Sequence, residues 1–329
     1  MTLRRLAVHA VLPFIAAAGL IASLPATAQT APAPGKVTKL VVGFAPGGPL
    51  DAVARMISGQ LGKELGQSVI VENRAGANAA IAADYTAKAT PDGSVLWLTS
   101  AGAVAINPTL YPKLSYDPVR DLAPVSLVVN TVEVLVVNPK NPARDSAEFV
   151  ANARRGSGAT MGSSGIGSVP HLAMELLADA TKASLTHIPY KGVAPAISDV
   201  IGGQVDGLFA DVPVVLSFIK AGSLRPLGIA APRRHPLLPD VKTFGELGIT
   251  GVDSDNWYGI FVARATPAAE IERIGQAVRR ALNDPAVKSR LLATGVEPAP
   301  TTPSELAALL KADTAKWSRI VIDKKIKDE

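Results

Sequence analysis

The chain has 329 residues, 48% of them hydrophobic, with 28 Gly, 26 Pro and a formal net charge of +5. That length supports two domains with sizeable cores, and the lack of cysteine excludes disulfides and thiolate-held metals or clusters. The basic residues are scattered, not gathered into a stripe, and aromatics are only 5%, which argues against nucleic acid as a partner.

Arg4 and Arg5 precede a mostly apolar stretch at 6–24, and Ala26, Thr27 and Ala28 supply small residues for cleavage. This pattern predicts an export signal over 1–28, cut after Ala28, and a Pro/Ala-rich flexible tether over 29–35. A membrane anchor is the alternative that the length of the apolar stretch leaves open. Residues 39–44 (KLVVGF) form a nearly continuous apolar run, as expected of a strand buried on both faces. Residues 51–62 follow with Ala54, Ile57 and Leu61 on one helical face. A strand at 68–72, a helix at 77–89 and a strand at 95–99 complete a βαβαβ unit, which implies a parallel sheet. Residues 125–138 are β-branched and too long for one average strand. They are read as a strand leaving a first domain for a second.

The alternation then repeats. Helices are expected at 147–155, 170–180, 195–202 and 214–221, with strands at 159–162, 185–189, 205–210 and 224–230. Residues 255–262 (DNWYGIFV) return the chain, and helices at 267–283 and 303–322 cover the first domain. The expected architecture is α/β, with domain 1 formed by 36–131 and 256–329, domain 2 by 132–255, and two crossing strands as a hinge. Small-ligand sites gather in such clefts.

Two glycine-rich turns run directly into apolar helices: GFAPGGPLDAVARMI at 43–57 and GSSGIGSVPHLAMELL at 162–177. Glycine lets the backbone approach a ligand closely, and a helix N-terminus presents unpaired N–H groups and a partial positive charge. One such turn is an ordinary strand-to-helix connection; two in one chain point to an anion held between lobes. Enzymatic signatures are missing. The run from Gly165 to Pro170 lacks the last glycine of a dinucleotide loop, and Ser163 and Ser164 lack the flanks of a nucleophile elbow. His171, His187 and His235 lack metal-site spacing, and Asp206 and Asp211 are an odd number of residues apart, which sends them to opposite faces of an extended strand. No catalytic residue, metal or cofactor is expected.

With both loops in place, the chain resembles the solute-binding proteins of tripartite tricarboxylate transporters, the Bug family. The resemblance runs from about Lys36 to the C-terminus through an ordered series: VVGFAPGGPLDAVAR, VIVENRAGANAAIAA, PDG, INPTLYPKLSYDPVRDLAPVS, GSSGIGSVPHLAMEL, HIPYKGVAPAISDVIGGQVD and NWYGIFV. It implies a periplasmic, two-domain, type II Venus-flytrap receptor that closes over a small organic carboxylate and delivers it to a permease of large and small membrane subunits. Carried over by position, it assigns Phe44, Pro46, Gly47, Gly48, Leu50 and Asp51 in the first loop. In the second it assigns Ser163, Ser164, Gly165, Gly167, Ser168 and His171, with Ser100, Ala101, Tyr190, Lys191, Asp211 and Asn256 along the remaining walls. Leu50 stands where the family often has Thr or Ser, which favours a ligand with an apolar or aromatic body.

The residues also allow plainer roles. Asp51 is placed to cap its helix and pair with Arg55 at i,i+4, Ser168 to act as an N-cap, and His171 to be a packed, satisfied side chain. Trp257 either packs on a ligand or anchors the second crossing. Two other functions stay open on sequence: a secreted α/β hydrolase or isomerase acting on a carboxylate, and a ligand-sensing subunit for a signalling partner.

Overall fold

The computed structural model describes residues 37–327. The export signal, its cut after Ala28 and the tether lie outside the described residues. The first strand, β1 (Val37–Val42), buries Leu40, Val41 and Val42 completely, as an apolar run without alternation requires. Helix α1 (Pro49–Leu65) has Gly48 as its N-cap and Pro49 in its first turn, where a missing N–H leaves no bond unmade. Ala54, Ile57 and Leu61 line its buried face, and Gly66 ends it in the left-handed region at φ 65°. β2 (Ser68–Asn73) and β3 (Val95–Ser100) flank β1, both parallel to it, with α2 (Ala80–Ala87) between them in sequence.

Helix α2 starts later than the periodicity predicts. Ala77, Asn78 and Ala79 have φ of 47°, 46° and 68°, a left-handed turn that costs non-glycine residues about 1–2 kcal/mol each. The Asn78 side chain donates to Asn107 Oδ1 at 2.6 Å, and Asn107 Nδ2 donates back to the Asn78 carbonyl at 3.0 Å. That reciprocal pair holds the turn against its strain.

A wide helical turn (Gly102–Ile106) leads into α3 (Asn107–Leu110), and the chain then enters β4 (Leu122–Thr131) and β5 (Glu133–Val137). The expected single strand over 125–138 is therefore two strands parted at Val132, and they belong to different sheets. The second sheet is built with α4 (Ser146–Arg155), β6 (Ala159–Ser163), α5 (Val169–Thr181), β7 (Leu185–Pro189), α6 (Val193–Gly202), β8 (Gly207–Asp211), α7 (Val212–Lys220) and β9 (Arg225–Ile229). Its order is β7-β6-β8-β5-β9. β10 (Asn256–Ala263) re-enters the first sheet between β3 and β4, antiparallel to both.

Helices α8 (Ala268–Asn283) and α10 (Pro303–Asp323) contribute to the apolar clusters that include first-sheet residues. Between them lie α9 (Pro285–Thr294) and β11 (Glu297–Pro298), which the sequence reading lacks. With its own apolar clusters around the second sheet, the structure is two α/β lobes joined by extended chain. Among the described residues, no helix is long and apolar enough to cross a membrane.

Candidate functional site

Register alone brings the two glycine loops to facing edges. β1, β2 and β3 are parallel, so their C-terminal ends at Val42, Asn73 and Ser100 share one edge of the first sheet. Antiparallel β10 puts Tyr258 opposite Ser100 and Asn256 opposite Thr131, so the crossing segments leave from that same edge. In the second lobe β6, β7 and β8 are parallel, and Glu133 at the start of β5 pairs with Asp211 at the end of β8. The C-terminal edge of that sheet therefore also meets the crossing. Open α/β sheets hold their ligands at such carboxyl edges. The second loop rests against the first lobe, because a Cβ added at Gly167 would lie 2.0 Å from Leu110 Cδ2.

The loops share one capping device. Gly47 and Gly167 both have positive φ, 86° and 73°, which glycine adopts without strain. The next residue in each case, Gly48 or Ser168, is the extended N-cap, and a proline stands in the first turn of each helix. Four residues beyond each glycine, a helix side chain takes its amide: Gly47 N–H donates to Asp51 Oδ2 at 2.9 Å, and Gly167 N–H to His171 Nδ1 at 3.1 Å. These two amides, with that of Gly165 on Ser163 Oγ at 3.1 Å, stiffen the loops and are not open donors. Gly48, Leu50 and Asp51 in the first loop, and Ile166 and Val169 in the second, keep N–H groups without a protein acceptor among the described residues. These are the groups that an anion would meet.

Asp51 is buried and accepts from Gly47, from Arg55 Nε and Nη2 at 2.9 and 3.0 Å, and from Asn73 Nδ2 at 3.0 Å. Burial opposes its ionisation, but the bonds from Arg55, Gly47 and Asn73 outweigh burial and hold its pKa below the usual carboxylate value. Asn73, which the sequence reading did not place among the site residues, also donates to the Phe44 carbonyl at 3.0 Å. Its signal was its place at the end of a parallel strand. Phe44 is half-buried against both apolar clusters of the first lobe, Pro46 and Gly47 are exposed, and Gly48 is half-buried. The Leu50 side chain lies in the core, 6% exposed. What Leu50 offers a ligand is thus its amide, and its side chain carries no information about the ligand's body.

In the second loop Ser163 is sealed at 0% exposure, and its Oγ also meets His187 Nε2 at 2.6 Å. A hydroxyl so enclosed is no nucleophile toward a bound molecule, despite its histidine neighbour. Ser168 Oγ accepts the His171 N–H at 3.4 Å, as an N-cap does, and donates to the Gly165 carbonyl at 2.7 Å. Ser164 and Gly165 are half-buried. His171 stacks on His187 with ring centroids 3.6 Å apart and 8° between planes. Burial, then the His187 charge, lowers the His171 pKa to about 3, and burial lowers His187 to about 4.

Both imidazoles are therefore neutral in the native state, while an unfolded histidine takes a proton near 6.5. Below that pH the unfolded chain binds more protons than the folded one, so acidification destabilises. Between about pH 6.5 and 5 the pair should cost on the order of 2 kcal/mol, most of it from buried His171, because solvent screens the half-buried His187. Denaturant unfolding checks this: the loss should shrink in a His171→Asn, His187→Asn double variant measured in parallel.

On the walls, Ser100 and Ala101 are buried, Ala101 completely. The Tyr190 hydroxyl donates to Asp199 Oδ2, which removes it as a free donor, whereas Lys191 is exposed. Trp257 is buried and its Nε1 donates to Asp313 on α10 at 2.6 Å, so it anchors the crossing. Asp211 is half-buried and accepts from Asn256 Nδ2 at 3.2 Å and from the Tyr258 hydroxyl at 3.1 Å. Beside it lies Glu133, which the sequence reading missed. Its signal was a lone acid inside an apolar strand, TVEVLVV.

The family profile described as tripartite tricarboxylate transporter family receptor matches residues 53–326. Protein BugT of Bordetella pertussis is 35% identical over 310 residues, covering 94% of each chain. The structure of MatC from Rhodopseudomonas palustris with bound malate superposes with a TM-score of 0.77 at 32% identity, over 87% of this chain and 98% of that one. A second R. palustris protein, solved with adipate, gives a TM-score of 0.82 at 30% identity, over 88% and 97%. The chain belongs to the tripartite tricarboxylate transporter receptor family.

Proposed function

We propose that this chain is a periplasmic receptor that captures a small organic carboxylate between its lobes and passes it to a membrane permease of large and small subunits. The observation that carries the reading is the pair of alike-capped helix N-termini at the facing edges of the two sheets. In the open form each loop's free amides are solvated. Closure brings both sets onto one anion, so ligand favours the closed form by its differential affinity. Lobes 36–131 with 256–329, and 132–255, turn about Val132 and the segment before Asn256. The malate and adipate in the two relatives support a carboxylate ligand, and the export signal expected over 1–28 supports the exported position. Catalysis is not part of the reading, since the serine nearest the site is sealed and hydrogen-bonded.

Isothermal calorimetry against a carboxylate panel tests the proposal, followed by recovery of the bound compound. Saturable binding with the ligand returned unaltered is expected. Conversion of the ligand would replace the receptor with an enzyme, and no binding across the panel would remove the ligand class.

A further inference from the structure

Asn107 opens α3 and is 0% exposed, so it meets no ligand itself. Both of its side-chain donors and its acceptor are nonetheless engaged. Oδ1 accepts from Asn78 Nδ2, while Nδ2 donates to the Asn78 carbonyl and to the Tyr116 hydroxyl at 3.2 Å. That hydroxyl donates in turn to the Ala103 carbonyl, inside the wide turn that precedes α3. Thr109 and Ser318 tie α3 to α10 through hydroxyls 2.5 Å apart. Asn107 therefore grips Asn78 from a braced position. What it grips is the left-handed turn at 77–79, whose last residue, Ala79, is 1% exposed. Gly43, where the first glycine loop begins, has no room for a Cβ against Ala79. Contact thus runs without a gap from Asn107 through Asn78 and Ala79 to Gly43, and close-packed atoms pass a displacement on.

The same short helix meets the second loop. Gly167 packs against Leu110, with Ile106 beside it, and both side chains share an apolar cluster with Val169 and Leu172 of α5. Residues 106–110 are therefore in contact with the supports of both loops. We propose that Asn107 is a positioning residue for ligand capture: through Asn78 it fixes where the first loop stands relative to the second. The proposal rests on the carboxylate reading of the cleft. Composition explains why a holder is needed. Residues 77–83 are alanine-rich and favour a right-handed helix, whereas left-handed alanines persist only where their surroundings fix them. If the turn relaxed, Ala79 would leave Gly43, and the open amides of Gly48, Leu50 and Asp51 would lose their register with those of Ile166 and Val169. An anion that needs both sets at once would then bind only the fraction of molecules with the turn in place.

The test is calorimetry at neutral pH with malate, succinate, adipate, citrate and benzoate as probes. Asn78 is half-buried, so both of its variants should fold. Asn78→Ala removes the donor to Asn107 and keeps the cost of a left-handed backbone; Asn78→Gly removes the same donor and that cost. Affinity for the tightest-binding probe should fall about tenfold with alanine and stay within about threefold of wild type with glycine. A side chain that touched the ligand would be missed equally in both. Asn107→Ala should weaken the same probe about tenfold or more in the wild type, but only about threefold in the Asn78→Gly background. That dependence marks positioning, because lost stability alone lowers the melting temperature and leaves the affinity of the folded protein unmoved. Where Asn107→Ala does not fold, the two Asn78 variants decide. Equal losses with alanine and glycine, or none with either, overturn this proposal alone. Failure of every probe with the wild type overturns the carboxylate reading and this proposal together.

Discussion

Gly48→Pro weakens carboxylate binding by about 10- to 150-fold, the equivalent of one charge-assisted hydrogen bond of ~1.5–3 kcal/mol, and leaves the melting temperature close to wild type. Gly48 has φ −76° and ψ 170°, values that proline itself adopts, and its N–H has no acceptor among the described residues. The substitution therefore removes a donor at the mouth of α1 without bending the chain. Gly48→Ala is the matched control. Its Cβ would lie 3.5 Å from the Ala45 carbonyl oxygen, an ordinary contact, and the amide survives. Calorimetry on the two variants separates donor from shape: if alanine and proline are equally harmful, the amide is not what holds the ligand.

Gly43→Ala is expected to be among the most destabilising single-methyl changes in the first lobe. Its Cβ would sit 2.3 Å from Ala79 Cβ and 2.9 Å from Ala79 Cα, so the end of β1 or the left-handed turn must shift. Overpacking of this kind costs ~1–3 kcal/mol. Ala79 is itself in the left-handed region at φ 68°, so Ala79→Gly alone should stabilise by about 1 kcal/mol. Combined with Gly43→Ala it should recover more than that sum, because the Cβ–Cβ clash disappears. Urea unfolding of both single variants and the double closes the cycle, and strict additivity would refute the contact.

The parts of the fold set by local rules could be read from the chain. The apolar run of β1, the face made by Ala54, Ile57 and Leu61, and the paired glycine loops follow from periodicity and backbone freedom; the helix face and the loops stand where expected, while β1 runs Val37–Val42, two residues ahead of the expected 39–44. The parts that escaped depend on distant partners. Residues 77–79 have helical composition, yet Asn107, 29 residues on from Asn78, holds that turn left-handed. The break at Val132 is invisible in a continuous β-branched run, because the two sheets and not the residues part the strand. The site follows the same division. Asp51 with Arg55 and Ser168 as a cap are neighbours in sequence and were legible. The His171–His187 stack and the Glu133–Asp211 pair join different elements and become visible only when the strands are in register. Loop glycines expected to offer Gly47 and Gly167 amides instead spend them on their own helices, since each αL glycine faces a side chain four residues ahead.

The two acceptors that brace these loops are a carboxylate whose charge Arg55 neutralises and an imidazole kept uncharged, so neither brace adds a net positive charge to its loop. A captured anion would then be gripped by oriented peptide dipoles at contact range, not by ammonium or guanidinium partners. Such a grip fades within a few ångströms once the lobes separate, so cargo lets go cleanly on opening. For a carrier whose task ends in handover, that abrupt release matters as much as the hold.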